Sequence, residues 1–143
     1  MAKREKRNKN RGSAGHNRKA GINFLSGNRQ KPGITETPSG LQYEVIERGK
    51  GPTPAENAHI IIHQRCWLLN GHVIEDTYRE NKPSEASVME LIDGYREGIM
   101  LMNKGSRYKF YIPSELGWGK KGTGNKIPPN ALLIFDVRLI DFW

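Results

Sequence analysis

The stretch from Lys126 to Trp143, KIPPNALLIFDVRLIDFW, imposes the strongest constraint on what this chain can fold into. From Leu133 to Leu139 every second residue is apolar, and the residues between them form a mixed second face. A period of two is typical of a β-strand. Proline cannot donate to a strand ladder, so the strand is predicted to begin after the two prolines. The rest of the chain therefore has to supply strands that pair with this one.

Alternating stretches upstream predict those partners. They are a strand that carries Leu41, Tyr43 and Val45, a long strand at His59–Leu69, a returning strand at His72–Tyr78 and another at Ser106–Ile112. Asn70 and Gly71 lie between the second and third of these, and Asn-Gly favours a type I′ hairpin turn, in which both residues have a positive φ. These strands are expected to form an antiparallel sheet.

The segment Met89–Met102 has a different period. Ile92, Tyr95, Ile99 and Met102 follow one another at spacings of three, four and three residues, which predicts a short amphipathic helix. Asp93 is its predicted N-cap. Because no βαβ repeat is present, we expect an α+β domain in which an antiparallel sheet wraps around one short helix.

Charge divides the chain into two parts. Residues 1–31 contain ten Lys and Arg residues against Glu5 alone, a net charge of +9, although the whole chain carries only +8. The other 112 residues contain thirteen basic and fourteen acidic side chains, a net charge of −1. The basic excess therefore belongs to the N-terminal segment and not to the domain.

We interpret residues 1–36 as a basic, largely disordered tail and linker, and residues 37–143 as the folded domain. Met1–Gly21 offers almost nothing to bury. Ile22, Phe24 and Leu25 form a small apolar island that is able to dock on the domain. The tail is either a solubilising extension or an arm, within residues 1–31, that binds RNA, ribosome or DNA by displacing counterions from phosphates.

A cytoplasmic location without membrane attachment is expected. Cys66 is the single cysteine, so no intrachain disulfide is possible, and this fits a reducing compartment. No apolar run approaches the length of a membrane span, about 18–20 residues. The charged N-terminus lacks the apolar core of a signal peptide.

Conventional catalytic motifs are absent from the sequence. Gly117–Thr123 lacks the Gly-Lys-Ser/Thr ending of a phosphate-binding loop. His59, His63 and His72 have no partners at metal-ligand spacing, so no metal is expected. Cys66 has no recognisable base, and a small half-buried residue is the better interpretation. A hydrolase or a nucleotide-dependent enzyme is therefore not indicated.

Five stretches, in the right order, resemble the FKBP-type peptidyl-prolyl cis-trans isomerases, especially bacterial members of the macrophage-infectivity-potentiator type. They are Thr37–Tyr43 (TPSGLQY), Asn70–Thr77 (NGHVIEDT), Glu90–Gly98 (ELIDGYREG), Gly105–Arg107 (GSR) and Pro128–Val137 (PPNALLIFDV). The resemblance covers about three quarters of the chain, Thr37–Trp143. It implies acceleration of Xaa-Pro isomerisation in proline-containing polypeptides, as an aid to protein folding, without a cofactor.

The resemblance also implies which residues form the site, an apolar pocket between the helix and the sheet. Carried over by position, the catalytic set is Tyr95, Phe135, Ile92, Trp118 and Glu75, and the substrate-binding set is Ile74, Leu91, Ile127 and Gln64. Tyr95 takes the place of the family's floor tryptophan. The backbone N–H of Ile92 corresponds to one that donates to a substrate carbonyl, and Trp118 replaces a loop tyrosine.

Several positions depart from the family pattern. Gln64, Ile74 and Ser84 stand where aromatic residues are usual, and Glu75 replaces an aspartate. These departures favour an alternative: an FKBP-like binding module or chaperone with weak or no catalysis, whose tail binds nucleic acid. The long dimerising helix of some bacterial relatives is not seen in the sequence, so a monomer is the default expectation.

Overall fold

The computed structural model describes residues 13–124 and 126–143. Its helices are α1 (Ala14–Asn28), α2 (Thr77–Glu80) and α3 (Asp93–Ile99). Its strands are β1 (Ile34–Glu36), β2 (Gln42–Glu47), β3 (His59–Leu68), β4 (Val73–Asp76), β5 (Ser84–Ser87), β6 (Arg107–Ile112) and β7 (Leu133–Phe142). Short 3-10 turns occupy Val88–Glu90 and Ser114–Leu116. The predicted α+β class, an antiparallel sheet around a short helix, is confirmed.

The terminal strand β7 lies inside the sheet, between β6 and β3. The full order is β1-β2-β6-β7-β3-β4, and β5 pairs with the first half of β3. Every pairing is antiparallel. A strand that pairs on both sides is the natural place for the longest alternating stretch of the sequence.

One face of the sheet buries the main core. Leu133, Phe135, Val137 and Leu139 of β7 are all buried there, as their alternation predicts. The helix α3 packs over this face, and its approach depends on glycine. A Cβ on Gly98 would lie 2.5 Å from the ring of Phe110. No side chain larger than hydrogen fits at that position without displacing the helix.

The opposite face of the sheet is covered by α1, which corrects the expectation of a disordered tail. Residues 13–36 form a helix and an edge strand, and only residues 1–12 of the proposed tail lie outside the described part of the chain. Phe24 and Leu25 pack against a second core cluster of Tyr111, Leu132 and Ile134. The apolar island therefore docks on the domain, although Ile22 stays half exposed. The boundary placed at residue 36 falls within this ordered region.

Polar contacts fix α1 at both ends. Ser13 caps the helix by accepting a hydrogen bond from the N–H of His16, 3.0 Å away. At the other end, buried Asn28 donates its side-chain amide to Gln42 on β2, at 2.8 Å. The Gln42 amide in turn donates to the carbonyl of Leu25 at 3.0 Å. The Ser13 cap stabilises the helix itself, and the bonds of Gln42 hold its C-terminal end on the sheet.

Three local predictions need correction. Gly71 has a positive φ but Asn70 does not, so the hairpin turn is not type I′; the Asn70 side chain instead accepts a hydrogen bond from the N–H of His72. The returning strand ends at Asp76, where α2 begins. Asp93 is the first residue of α3 and not its N-cap, which is Ile92.

Candidate active site

A pocket of about 290 Å³ opens between α3, the core face of the sheet and the loop that precedes β7. Its walls come from β3, β4, β5, α3, β7 and that loop. The lining residues are Ile62, Gln64, Cys66, Ile74, Glu75, Ser84, Ala86, Glu90, Leu91, Ile92, Tyr95, Trp118, Thr123, Lys126, Ile127, Leu133 and Phe135. The lining is mostly apolar, with a few polar groups, as is common for sites that bind small groups of a ligand.

The nine residues predicted for the site all line this one pocket: Gln64, Ile74, Glu75, Leu91, Ile92, Tyr95, Trp118, Ile127 and Phe135. Their individual roles stay predictions. Sequence reasoning did not assign Ile62, Cys66 or Leu133 to the site. The signal was available, because residues two apart on a strand share a face, and these three follow the parity of Gln64 and Phe135.

The floor of the pocket is Tyr95, which is only 4 % exposed. Its ring lies 4.6 Å from that of Phe135, centroid to centroid, at an interplanar angle of 59°. Such tilted aromatic pairs place the edge of one ring toward the face of the other and stabilise their mutual geometry. Two rings thus form a rigid apolar corner at the base of the pocket.

The hydroxyl of Tyr95 has a hydrogen-bond partner in the pocket wall. It donates to Oε1 of Gln64 at 2.6 Å, and the side-chain amide of Gln64 donates to Oε1 of Glu75. Burial raises the pKa of Tyr95 well above its ordinary value, so the hydroxyl keeps its proton at neutral pH. Three side chains from α3, β3 and β4 therefore form one chain of hydrogen bonds along the pocket wall.

Backbone at the start of α3 supplies a donor. Ile92 precedes the first helical residue with an extended conformation, φ −60° and ψ 154°. Within the described part of the chain, no hydrogen bond from the Ile92 N–H is present. Ile92 lines the pocket, and an N–H without an intrahelical acceptor at a helix start is available to a ligand.

Trp118 stands at the mouth of the pocket, where its side chain is 47 % exposed. The loop that carries it is held by its own backbone: Gly119 donates to the carbonyl of Ser114, and Asn130 donates to that of Gly119. A bridge between Thr123 and Ile127 closes its other half. The described residues of this loop form one wall of the site.

Cys66 is the one thiol among the residues that line the pocket. Burial, and to a lesser extent the charge of Glu75, raise the pKa of the Cys66 thiol to about 12, so it is not a thiolate at neutral pH. Within residues 13–124 and 126–143, no group of three or more His, Cys, Asp or Glu side chains is arranged to hold a metal ion. In the same residues no helix is long and apolar enough to cross a membrane.

The fold and the pocket define a class: a small α+β domain with an apolar site between a short helix and an antiparallel sheet. Comparison with known families identifies it. Residues 51–140 match the family described as FKBP-type peptidyl-prolyl cis-trans isomerase. Residues 1–45 match the domain amino terminal to FKBP-type peptidyl-prolyl isomerase. The chain belongs to the FKBP-type peptidyl-prolyl cis-trans isomerase family.

Individual relatives agree with this assignment. The outer membrane protein MIP of Legionella longbeachae is 37 % identical over 127 residues, which cover 89 % of this chain and 54 % of that protein. The FKBP-type 22 kDa peptidyl-prolyl cis-trans isomerase of Escherichia coli strain K12 is 36 % identical, over 85 % of this chain and 59 % of the relative. The crystal structure of FkpA from Escherichia coli superposes with a TM-score of 0.87 at 32 % identity, covering 90 % of this chain and 60 % of that one.

This chain spans about half the length of the curated relatives that it matches. The match to the amino-terminal domain accounts for α1 and β1, which the division at residue 36 had assigned to a tail.

Proposed function

We propose that this protein accelerates the cis/trans isomerisation of Xaa-Pro bonds in polypeptides, without a cofactor. The observation that carries the proposal is the convergence of nine residues around one apolar pocket in a chain of this family. They come from β3, β4, α3, β7, the two residues before α3 and the loop before β7. The comparisons favour this activity over a binding module without catalysis.

The apolar corner of the pocket suits a proline ring. The ring would pack on Tyr95 and Phe135, and Ile74 and Ile127 would flank it. Burial of the ring is favourable by about 25 cal/mol per Å² of apolar surface removed from water. The proline is thereby held while the bond that precedes it rotates.

The reaction breaks no covalent bond. Its barrier is the loss of amide resonance, about 18–20 kcal/mol. A twisted amide has a carbonyl that is no longer conjugated with its nitrogen, so a pocket that binds the twisted form more tightly than the planar forms lowers the barrier. The N–H of Ile92 is the donor for a substrate carbonyl, and the dry walls strengthen that hydrogen bond.

Exchange spectroscopy by NMR on short Xaa-Pro peptides tests the proposal. We expect wild-type protein to speed exchange well above the spontaneous rate, which corresponds to tens of seconds or more. Because Glu75, Glu90 and Lys126 line the pocket, the rate should vary with the charge of the residue before proline. Absence of acceleration for every preceding residue would contradict the proposal.

We propose further that the basic N-terminal segment binds nucleic acid or ribosomes. The support is its sequence, since Lys and Arg runs gain affinity by releasing counterions. The test is to delete residues 1–12 and to measure RNA and DNA binding at several salt concentrations. Residues 13–31 must be kept, because α1 covers part of the core. Unchanged binding after this deletion, and after replacement of Arg18, Lys19, Arg29 and Lys31 by glutamine in the shortened protein, would refute the assignment.

A cytoplasmic location and a monomeric state are also proposals. The first is supported by the single cysteine in the sequence. Fractionation of cells is a direct test, and it matters because one relative bears the name outer membrane protein. For the second, sedimentation of the full chain over a range of concentrations distinguishes a monomer from an oligomer.

A further inference from the structure

A second concave surface, of about 430 Å³, lies between α1 and the chain that follows β6. We call it the α1 groove. Arg18 and Ile22 line it from α1, and Pro113, Lys120 and Leu132 line it from the other side. None of the residues that line the groove also lines the isomerase pocket. The groove is therefore a separate concavity, with a chemistry of its own.

Asn130 joins the two walls of the groove. Its backbone N–H donates to the carbonyl of Gly119 at 2.8 Å, and its side-chain amide donates to the carbonyl of Ala14 at 3.2 Å. Ala14 is the first residue of α1, and Lys120 directly follows Gly119. The fold therefore places Lys120 beside the N-terminal end of α1, and Arg18, in the first half of that helix, lines the same groove.

Positive charge on the walls of the groove is largely unopposed. Four basic residues and no acidic residue lie in α1 and in residues 117–124 of the sequence. The four are Arg18, Lys19, Lys120 and Lys121. All of them are exposed, and none forms an ion pair with another residue of the described ranges. The one acidic residue that lines the groove is Glu115, whose carboxylate accepts a hydrogen bond from the Ser114 hydroxyl at 3.2 Å. The charges favour an anionic ligand.

The sequence before α1 continues this positive charge. Residues 1–12 contain six Lys and Arg residues and one Glu, and they join α1 at its N-cap, Ser13. The next residue, Ala14, is the one that accepts from Asn130. A series of cations that leads into the groove suits a linear polyanion, whose counterions are released as each phosphate is neutralised.

The groove also exposes apolar surface. Ile22 is 50 % exposed, whereas Phe24 and Leu25 of the same helix pack against the second core cluster. Unpaired nucleotides offer both kinds of group that such a groove can bind. Their phosphates pair with cations, and their bases have flat faces that pack against apolar side chains. A duplex keeps its bases stacked in its interior and offers mainly phosphates.

We propose that the α1 groove binds a single-stranded nucleic acid. Arg18 and Lys120 contact its phosphates, with Lys121 beside them, and Ile22 packs against an unpaired base. This inference rests on the proposed binding of nucleic acid by the basic N-terminal segment, and it adds a site in the folded domain outside residues 1–31. Because phosphate contacts carry no sequence information, the site should accept strands of any sequence.

The test measures how tightly the full chain binds a fluorescent single-stranded DNA of mixed sequence, and the duplex of that DNA with its complement. Fluorescence anisotropy at several salt concentrations gives the affinities. The double variant Lys120→Gln, Lys121→Gln, called the loop variant, is compared with Lys50→Gln, Lys82→Gln. The two control lysines are exposed, form no ion pair within the described ranges and line neither concavity. Both double variants lose the same charge, and circular dichroism checks that each is folded.

The loop variant should bind the single strand about tenfold more weakly than its control at low salt. The dependence of log K on log salt should become shallower by about 1.4, because each neutralised phosphate of a single strand contributes about 0.7. Glu115→Gln should strengthen binding, since it removes the carboxylate from the groove.

The apolar contact has its own comparison. Ile22→Ser should weaken binding of the single strand about fivefold, as expected when half of an isoleucine side chain loses its contact, and should leave binding of the duplex unchanged. Ile46→Ser is the control, because Ile46 is 45 % exposed and lines neither concavity, and it should change neither affinity.

Equal affinities and equal salt dependence of the loop variant and its control would overturn the proposal. So would an equal loss of single strand and duplex in Ile22→Ser, because the groove would then not contact unpaired bases. A loop variant that loses polyglutamate or phosphatidylserine vesicles as strongly as the single strand would also overturn it, since the groove would then bind acidic surfaces in general.

The site in the groove and the basic N-terminal segment fail separately. Deletion of residues 1–12 and replacement of the basic residues up to Lys31 test the segment, whereas Lys120 and Lys121 lie outside it. If those changes leave binding intact and the loop variant weakens it, the groove is the site and the segment is not. A wild-type protein that binds no nucleic acid would overturn both.

Discussion

Gln64 shows how a single side chain changes the chemistry of the pocket wall. Its amide oxygen accepts from the Tyr95 hydroxyl at 2.6 Å, while its amide nitrogen donates to the Glu75 carboxylate. The carboxylate cannot donate, so it fixes the orientation of the amide. Gln64 is therefore a positioning residue, which holds the floor tyrosine and the wall carboxylate in register.

The substitution Gln64→Glu tests this role through pH. It places a second carboxyl group beside Glu75. Because two adjacent negative charges repel each other, the pKa of one of the two groups is raised. At low pH the two carboxyl groups at positions 64 and 75 share a proton and stay hydrogen-bonded to each other. As the pH rises above the raised pKa, both groups are ionised, and their repulsion separates the two side chains of the pocket wall. We expect kcat/KM of this variant to fall with rising pH, where that of the wild type stays flat.

The double variant Gln64→Glu, Glu75→Gln is the control. It restores one carboxylate and one amide in exchanged positions, so both hydrogen bonds can form again and the pH dependence should disappear. A flat profile for Gln64→Glu alone, in a folded protein, would contradict the positioning role.

Most of the site was predictable from the sequence through its resemblance to the family, because strand parity and a helical stripe show which side chains share a face but do not distinguish a pocket from the core. The periods place Tyr95 and Phe135 on apolar faces, and the resemblance assigns them to the pocket that both of them line. The bond from Tyr95 through Gln64 to Glu75 was not predictable, because it joins three segments that are distant in sequence and depends on side-chain rotamers. Nothing in the pattern around Gln64 marks it as a bridge.

The packing of α3 on the sheet depends on two of its glycines, which have no side chain. A Cβ at Gly98 would lie 2.5 Å from Phe110, against the helix face that supports Tyr95. The neighbouring Gly94 has a similar restriction, with Ile112 at 2.7 Å. Close packing of helix on sheet at these glycines sets the depth of the pocket.

Gly98→Ala is predicted to destabilise the protein by about 2 kcal/mol, the range of overpacking in a well-packed core. Gly27→Ala is the control, because no atom lies within 4 Å of the added Cβ and alanine favours a helix, so it should stabilise by up to about 1 kcal/mol. Denaturant unfolding measures both. Equal stability of the two variants would refute the account of the α3 packing.

The strands were predictable and α1 was not, for physical reasons. The alternation in β7 indicates a strand with one buried face, and a sheet that packs on a core needs such strands. The sequence of α1, AGHNRKAGINFLSGN, has no apolar stripe, and of its residues only Phe24 and Leu25 pack on the second cluster. The rest of its stability comes from the Ser13 cap and from bonds such as Asn28 to Gln42, which sequence alone does not reveal.

At the scale of the whole molecule, the sheet has a covered face on each side: α3 and the pocket lie on one, and α1 with the second core cluster lies on the other. The two sides meet at the segment before β7. There Asn17 on α1 donates to the carbonyl of Pro129 at 3.0 Å, and Asn130 donates to that of Ala14 at 3.2 Å. The helix thus supports the loop that forms one wall of the pocket.

Two truncations distinguish the contribution of residues 1–12 to the stability of the domain from that of α1. Removal of residues 1–12 should leave the free energy of unfolding unchanged, since Phe24 and Leu25 of α1, which pack on the second cluster, are kept. Removal of residues 1–31 should lower it by about 3 kcal/mol or more, because Tyr111, Leu132 and Ile134 lose their cover. Equal stability of the two truncated proteins, by denaturant unfolding, would show that α1 does not stabilise the domain.

The central claim is that an apolar pocket floored by Tyr95 catalyses Xaa-Pro isomerisation. The most direct measurement is kcat/KM by NMR exchange for wild type, Tyr95→Ala and Phe135→Ala, with Tyr43→Ala as control. Tyr43 packs on the same core, stacked on Tyr108 at 5.6 Å, but does not line the pocket.

We predict that wild type and Tyr43→Ala accelerate exchange alike, and that the two pocket variants, when folded by circular dichroism, lose at least about tenfold, the equivalent of about 1.4 kcal/mol of transition-state stabilisation. Folded pocket variants as active as the control, or a wild type without activity, would contradict the claim.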